Sequence, residues 1–387
     1  MKQRDSYFDN AKFILIFLVV FGHIIRSYIE KDPVILSLYK TIYTFHMPAF
    51  ILLAGFFAKG FYKKGYIQKL AKKLILPYIV FQLIYTVYYY FLYDSSTLEV
   101  DPLTPHWSLW FLISLFCWNA MLYAFIKWFK FGTAAGLTVA FSLGLIVGFA
   151  DSISSTLSLS RTFVFFPMFL LGYYLKKEHF DYFKTSQMRL AACLTFILVF
   201  LGMFLIPEFS DKWLLGSKPY GDFDWNNLYG MGIRAAVYAL NIIMIFSFFS
   251  FVPTKQQFFT KWGKNTLYVY LLHGFLVRLF RVSALKDEIN PTTSILVMLG
   301  VSLVLTMLFS TKFFTSLTQP LIEFRTSRFQ KLFSKKEINT RQNPIERAGS
   351  LSQSLFDGWN GTTQKITPIS PLYVISYGFI ILFEIFH

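Results

Sequence analysis

YFDNAKFILIFLVVFGHII, residues 7–25, decides the class of this chain. From Phe13 to Ile25 every residue is apolar or glycine except His23. A bilayer core of roughly 30 Å is crossed by about 20 helical residues. The stretch is therefore expected to be a membrane span, over 9–28. It is an unusual one, because it carries Asp9, Lys12, His23 and Arg26. Ionisable groups inside a membrane are costly, so they mark function or anchor helix ends.

The rest of the chain has the same character. Of 387 residues, 55% are hydrophobic, 20% aromatic and only 15% charged. Soluble domains carry about 25% charged residues, so a water-facing fold is excluded. Nine further apolar segments fall at 41–59, 72–93, 107–126, 131–150, 162–175, 189–206, 235–252, 265–281 and 294–311. The expected fold is all-α, a polytopic membrane bundle of about ten transmembrane helices. The weaker run at 371–386 carries Glu384 and suits an interfacial segment or none. Residues 1–320 are read as the membrane domain and 321–387 as a basic tail of low order. No cleavable signal peptide is expected, because the first apolar run lacks a small-residue cleavage site.

The net charge of +16 raises nucleic acid as a partner. Its distribution argues against that. Segment 59–73 holds Lys59, Lys63, Lys64, Lys69, Lys72 and Lys73, whereas 94–106 holds no Lys or Arg. Across the ten spans, 27 of the 37 Lys and Arg residues fall on one side and 10 on the other. Basic loops stay in the cytoplasm. Both termini are thus expected to be cytoplasmic in a multi-pass protein of the cell membrane, with membrane lipid but no nucleic acid as partner. Cys117 and Cys193 both sit in apolar runs, and neither a disulfide nor a metal site is expected from them.

Lys12 and His23 are eleven residues apart, so they differ by about 20° around a helix and about 16 Å along it. One face of the first span is expected to carry a polar line from the cytoplasmic entrance to the outer half. His46, His106 and His273 fall at the same outer depth as His23, and Arg161 and Arg234 at the outer ends of their spans. A set of His and Arg at one depth suits acid–base chemistry. Taken singly, His46, His106 and His273 suit a buried hydrogen-bonded role equally well. The long outer segment 207–234, with Trp213 and Trp225 among its aromatics, suits carbohydrate or an interfacial belt. No Walker loop, GxSxG, HExxH or GxGxxG is present.

These residues carry a family resemblance. The 7–25 stretch is similar to the first span of the acyltransferase family 3 membrane proteins, especially the fucose 4-O-acetylase-like branch, where a basic residue precedes a histidine at the spacing of Lys12 and His23. TFHMPAFILLAGFF (44–57), KKLILPYIVF (72–81), RTFVFFPMFLLGYYLKK (161–177) and WGKNTLYVYLLHG (262–274) resemble later family stretches in the same order. Two departures stand out. The family's basic residue is usually Arg, which has a bidentate fork that Lys12 lacks. The 76 residues after Thr311 are mostly basic tail, with no room for the extracytoplasmic domain that some members carry. Transfer is then expected at the membrane domain or through a separate protein.

The resemblance implies an O-acyltransferase of cell-envelope polysaccharide, with acetyl-CoA as cytoplasmic donor and an extracytoplasmic glycan or lipid-linked saccharide as acceptor. It implies His23 as general base, His46 as its partner and Lys12 at the donor. Arg161, Arg234, His106, His273 and Trp225 are the expected acceptor contacts, and no metal is expected. Two other readings remain open: a proton-coupled transporter or flippase of glycan intermediates, since intramembrane His, Lys and Asp also build proton relays, and a sensory or scaffold protein that keeps only the fold.

Overall fold

In a computed structural model of the chain, residues 4–327 are described, apart from 152–155, 224–225 and 291–292. They divide into two units, Met1–Thr311 and Lys312–His387.

The first unit is built of α-helices: α1 (Ser6–Ile25), α2 (Pro33–Tyr43), α3 (His46–Phe57), α4 (Tyr66–Leu92), α5 (Trp110–Tyr123), α6 (Thr133–Ile146), α7 (Leu159–Tyr174), α8 (Lys177–Asp181), α9 (Ser186–Leu205), α10 (Lys212–Leu215), α11 (Asn227–Phe251), α12 (Thr266–Val282), α13 (Leu285–Glu288) and α14 (Ile295–Phe309). In the second unit the described residues form α15 (Lys312–Glu323), which contains Pro320. Each of the ten expected spans is helical. Among the described residues, seven helical stretches are long and apolar enough to cross a bilayer. The helices α6, α12 and α14 have 14, 17 and 15 residues and fall short of a full crossing by themselves. The 371–386 run lies outside the described residues.

The surface is that of a membrane protein. Helix α9 leaves Leu190, Leu194, Ile197, Leu198, Leu201 and Leu205 exposed along its length. Such a stripe is unstable in water and ordinary against lipid. Helix α1 is the opposite case. It packs against α2, α3, α12 and α14, and Ala11, Leu15, Val20 and Ile25 on it are fully buried. This position is what lets one helix carry so many polar groups.

Two boundaries differ from expectation. Residues 33–40 were expected to lie outside the second span, yet they form α2. Asp32 accepts from the Val34 and Ile35 amides, and Pro33 supplies the fixed φ of a first helical turn. Lys40 of α2 is buried and donates to the Pro207 carbonyl at 2.8 Å. The helix α4 starts at Tyr66, six residues early, so Lys69, Lys72 and Lys73 lie on its first turns rather than in a loop. Their long stems let a basic run continue a helix into the interface.

The core contact of the unit is α3 against α7. A methyl group at Gly55 would overlap the Phe169 carbonyl, and one at Gly172 would overlap the Leu52 carbonyl. The pairing is reciprocal, so the backbones touch where the sequence places glycine. Small residues allow such approach where helices lack a hydrophobic drive to associate. This contact fixes α3, and with it His46.

Ion pairs collect at the two ends of α1. At its start, Asp5 caps the helix and meets Lys177 at 2.7 Å, while Asp9 binds Lys12 at 2.7 Å and Arg4 at 2.5 Å. Just past its end, Arg26 meets Asp211 at 2.9 Å. Twenty helical residues separate these sets by about 30 Å.

Candidate active site

The site grows from the break between α2 and α3. Tyr39, Tyr43 and His46 occur at spacings of four and three, which put them on one side of the α2–α3 segment. The rings of Tyr39 and Tyr43 are 3.9 Å apart, and those of Tyr43 and His46 are 4.4 Å apart. The Tyr43 hydroxyl lies 3.2 Å from His23 Nδ1 on α1. Two further rings close on His23. Trp107 is 4.3 Å away, and His273 of α12 is 5.4 Å away and nearly parallel. The His23 carbonyl accepts from Arg281 Nη2 at 2.8 Å.

Backbone carbonyls set two of the histidine tautomers. His46 Nδ1 is 2.9 Å from the Ile42 carbonyl, and His273 Nδ1 is 2.9 Å from the Val269 carbonyl. A carbonyl only accepts, so each Nδ1 carries the proton and each neutral ring keeps a lone pair on Nε2. His273 Nε2 is buried without a hydrogen-bond partner among the described residues.

A cavity of about 220 Å³ opens at this cluster, with His23, His46, Tyr43, Arg26, Arg161 and Trp107 on its wall. Arg161 enters from α7. Its Nε donates to the Leu215 carbonyl at 3.3 Å, and its guanidinium lies 5.0 Å from the Trp110 ring. A second cavity of about 240 Å³ lies toward the start of α1. Lys12, Thr266 and Tyr270 bring its polar groups, and Ile16, Phe50 and Leu115 are typical of the remaining wall. Val19, Met47 and Tyr270 line both cavities. The two spaces are therefore adjacent.

The expected residues therefore divide. His23, His46 and Arg161 share the first cavity, and His273 stacks behind His23. The His23–His46 link runs through Tyr43, which sequence reasoning missed along with Trp107 and Arg281. The YxxxYxxH spacing of Tyr39, Tyr43 and His46 was the available signal. Lys12 lines the second cavity, with its charge opposed by Asp9. His106 lies on neither wall. Its Nε2 is 2.7 Å from the Thr86 hydroxyl, and its amide donates to Gln82 Oε1. Burial pushes its imidazole pKa down, and Arg278 acts in the same direction. Arg234 is also absent from both walls. It is buried, donates to the Lys218 carbonyl at 2.8 Å and lies 4.5 Å from the Tyr220 ring, so it braces the 212–222 segment. Trp225 lies outside the described residues.

Residues 5–311 match the family described as an acyltransferase domain. The chain belongs to acyltransferase family 3. Among curated proteins, this family member is similar to the Nodulation protein NolL of Mesorhizobium japonicum, with 24% identity over 335 residues, 78% of this chain and 84% of that protein. It is also similar to the Nodulation protein NolL of Sinorhizobium fredii, with 48% identity over 60 residues. That second match spans 15% of this chain and 16% of the relative. No solved structure matches. Family membership and the apolar helices together make the chain a multi-pass membrane acyltransferase.

Proposed function

We propose that this acyltransferase is an O-acetyltransferase that moves an acetyl group from cytoplasmic acetyl-CoA to a hydroxyl of an extracytoplasmic glycan or lipid-linked saccharide. The observation that supports this most is the pair of cavities that share Val19, Met47 and Tyr270. One is almost wholly apolar and begins at Lys12; the other is the more polar of the two and contains His23. A donor arm and a sugar can approach the same point from opposite faces. The exposed Lys63, Lys64, Lys69, Lys72 and Lys73 suit the donor's anionic nucleotide end.

His23 acts as the general base, a role worth about 10²–10⁴-fold. Its Nδ1–H donates to the Tyr43 hydroxyl oxygen, which leaves the Nε2 lone pair for the substrate. A sugar hydroxyl gives its proton to Nε2 as its oxygen attacks the thioester carbonyl carbon. The C–O bond forms, the C–S bond breaks, and the leaving thiolate takes the proton back from the imidazolium. Arg161 stabilises the negative oxygen of the tetrahedral intermediate. His46 holds the Tyr43 ring, and Lys12 with Asp9 keeps the donor entrance open and polar.

The test is purified protein incubated with acetyl-labelled acetyl-CoA and a panel of glycans. Base-labile label on glycan is expected, with at least about a 100-fold loss in His23→Ala. A normal rate in His23→Ala removes the base assignment. Saccharide movement across vesicles without any covalent product favours the transporter. Cysteines at Ser95 and Ser217 should label from outside if both termini are cytoplasmic, and protection at both positions overturns that orientation.

A further inference from the structure

Three arginines lie around His23 and Trp107, and one of them is neutralised; Arg26 lines the first cavity, whereas Arg278 and Arg281 stand on neither cavity wall, beside Trp107, which does line it. Arg26 has Asp211. Arg278 and Arg281, three residues apart on α12, place their guanidinium carbons 4.6 and 5.0 Å from the centre of the Trp107 ring. Their charges are thus at most about 10 Å apart, close to one screening length in physiological salt. Neither meets a carboxylate within ion-pair distance among the described residues. Arg278 Nη1 reaches the Tyr93 hydroxyl at 3.3 Å, and Arg281 Nη2 reaches the His23 carbonyl at 2.8 Å. The Nε of each is buried without a hydrogen-bond partner among those residues. Asp287, on the short helix that follows α12, is engaged by Lys31 at 3.0 Å and Lys286 at 3.9 Å.

This is an expensive arrangement for bracing Trp107 and Tyr89, the second of which lies 5.4 Å from the Arg278 guanidinium. One cation over each ring would provide the cation–π attraction. A second adds repulsion, and a buried N–H without an acceptor adds a desolvation cost. An oxyanion relieves both, because a guanidinium fork offers two parallel N–H donors to a phosphate or carboxylate. We propose that Arg278 and Arg281, flanking Trp107 beside His23, form a subsite for the oxyanion group of an acidic acceptor. The substrate part of this inference rests on the acyltransferase reading above; the anion-binding part does not. Two sources supply that chemistry: the diphosphate of a lipid-linked saccharide, or the carboxylate of an acidic sugar.

Full-length protein in neutral detergent is titrated calorimetrically with inorganic pyrophosphate and, separately, with glucuronate. Wild type is expected to bind at least one of them at least tenfold more tightly than the Arg278→Gln/Arg281→Gln double variant, with affinity falling as salt rises. Tighter pyrophosphate points to the lipid diphosphate, and tighter glucuronate to the acidic sugar. Equal affinity of wild type and double variant for both anions overturns the subsite. Arg278→Gln alone, which leaves the bond to the His23 carbonyl intact, decides the matter if the double variant does not elute as folded protein. With an acidic acceptor, Arg278→Gln should raise KM at least fivefold with little change in kcat, and Arg278→Lys should recover part of the loss. Absence of ester from wild type with every acceptor defeats the proposed transfer from acetyl-CoA to a glycan by itself, since the titrations are read without turnover.

Discussion

Tyr43→Phe tests the centre of the site most directly. The substitution removes one hydroxyl and keeps the ring, so the packing of Tyr43 on Tyr39 and His46 survives. What is lost, together with a hydrogen bond to Tyr39, is the contact to His23 Nδ1 at 3.2 Å. In the proposed mechanism that contact strengthens when His23 takes the proton, because the imidazolium is then the donor. Hydrogen bonds to charged groups are worth about 1.5–3 kcal/mol. The 3.2 Å separation is long, which favours the lower half of that range. At about 1.4 kcal/mol per decade, the expected loss in kcat is roughly 10–40-fold. The donor KM should hardly change, because the hydroxyl acts on the base rather than on the thioester. The assay is steady-state acetyl transfer at saturating acceptor, with a thermal midpoint to show that the fold is intact. A kcat within twofold of wild type in a folded Tyr43→Phe protein refutes the orienting role, and with it the tautomer assigned to His23.

Val19 lines both cavities, so Val19→Trp should add bulk where they adjoin without adding charge. Transfer from acetyl-CoA should fall at least tenfold while acceptor binding is kept; full activity argues against donor passage along α1. His106→Ala should retain transfer within about threefold, because the ring is held by Thr86 and stands on neither cavity wall; a loss of two decades would return His106 to the chemistry. The third expectation is a pH effect at the start of α1. Burial raises the Asp5 pKa, but the Lys177 ammonium and the Tyr7 amide outweigh it and hold the carboxyl below its usual 3.8. A depressed folded-state pKa stabilises the protein above the unfolded value and is lost as pH falls through the folded one. Lys177→Ala should therefore lower the thermal midpoint at pH 7, with the difference shrinking toward pH 3; a difference that does not change with pH rules out the Asp5 link.

The helices were legible because apolar runs of sufficient length have few other uses, and α1 was legible as special because His23 interrupts one. The contacts between helices were less so. Lys12 and His23 share a face, as 100° per residue requires, but the sequence did not show that Asp9, one turn before Lys12, takes up its charge. Tyr43 and Trp107 were hidden by number: in a chain with 23 Tyr and 8 Trp, aromatic residues near span ends read as interface belts. His106 and His273 looked alike in the sequence, since depth alone placed them. What separates them is that His273 sits on α12 and turns toward His23, whereas His106 is set by the loop before α5, whose course is not periodic. Arg234 was expected among the acceptor contacts, and the structure places it on the Lys218 carbonyl and on neither cavity wall, because a buried arginine satisfied by a loop carbonyl cannot be told from a substrate clamp without the loop.

The same geometry explains why so polar a line can run through a bundle of this kind. Ionisable groups facing lipid would cost several kcal/mol each. Here α1 is surrounded by α2, α3, α12 and α14, so its polar face meets protein and cavity instead of hydrocarbon. The enclosure depends in turn on α3, whose backbone is pinned on α7 at Gly55 and Gly172. Rotation of α3 would carry His46 and Met47 away from α1 together. Met47 lines both cavities, and an unbranched thioether side chain is the kind that changes rotamer at little cost. Val19 is β-branched and stiff, and Tyr270 is tied by its hydroxyl to the Ser108 carbonyl. Of the three side chains that line both cavities, Met47 is therefore the most adaptable. On the proposed reading, a two-carbon acyl group needs only that one side chain to swing, whereas a longer chain would also have to displace Val19 or Tyr270.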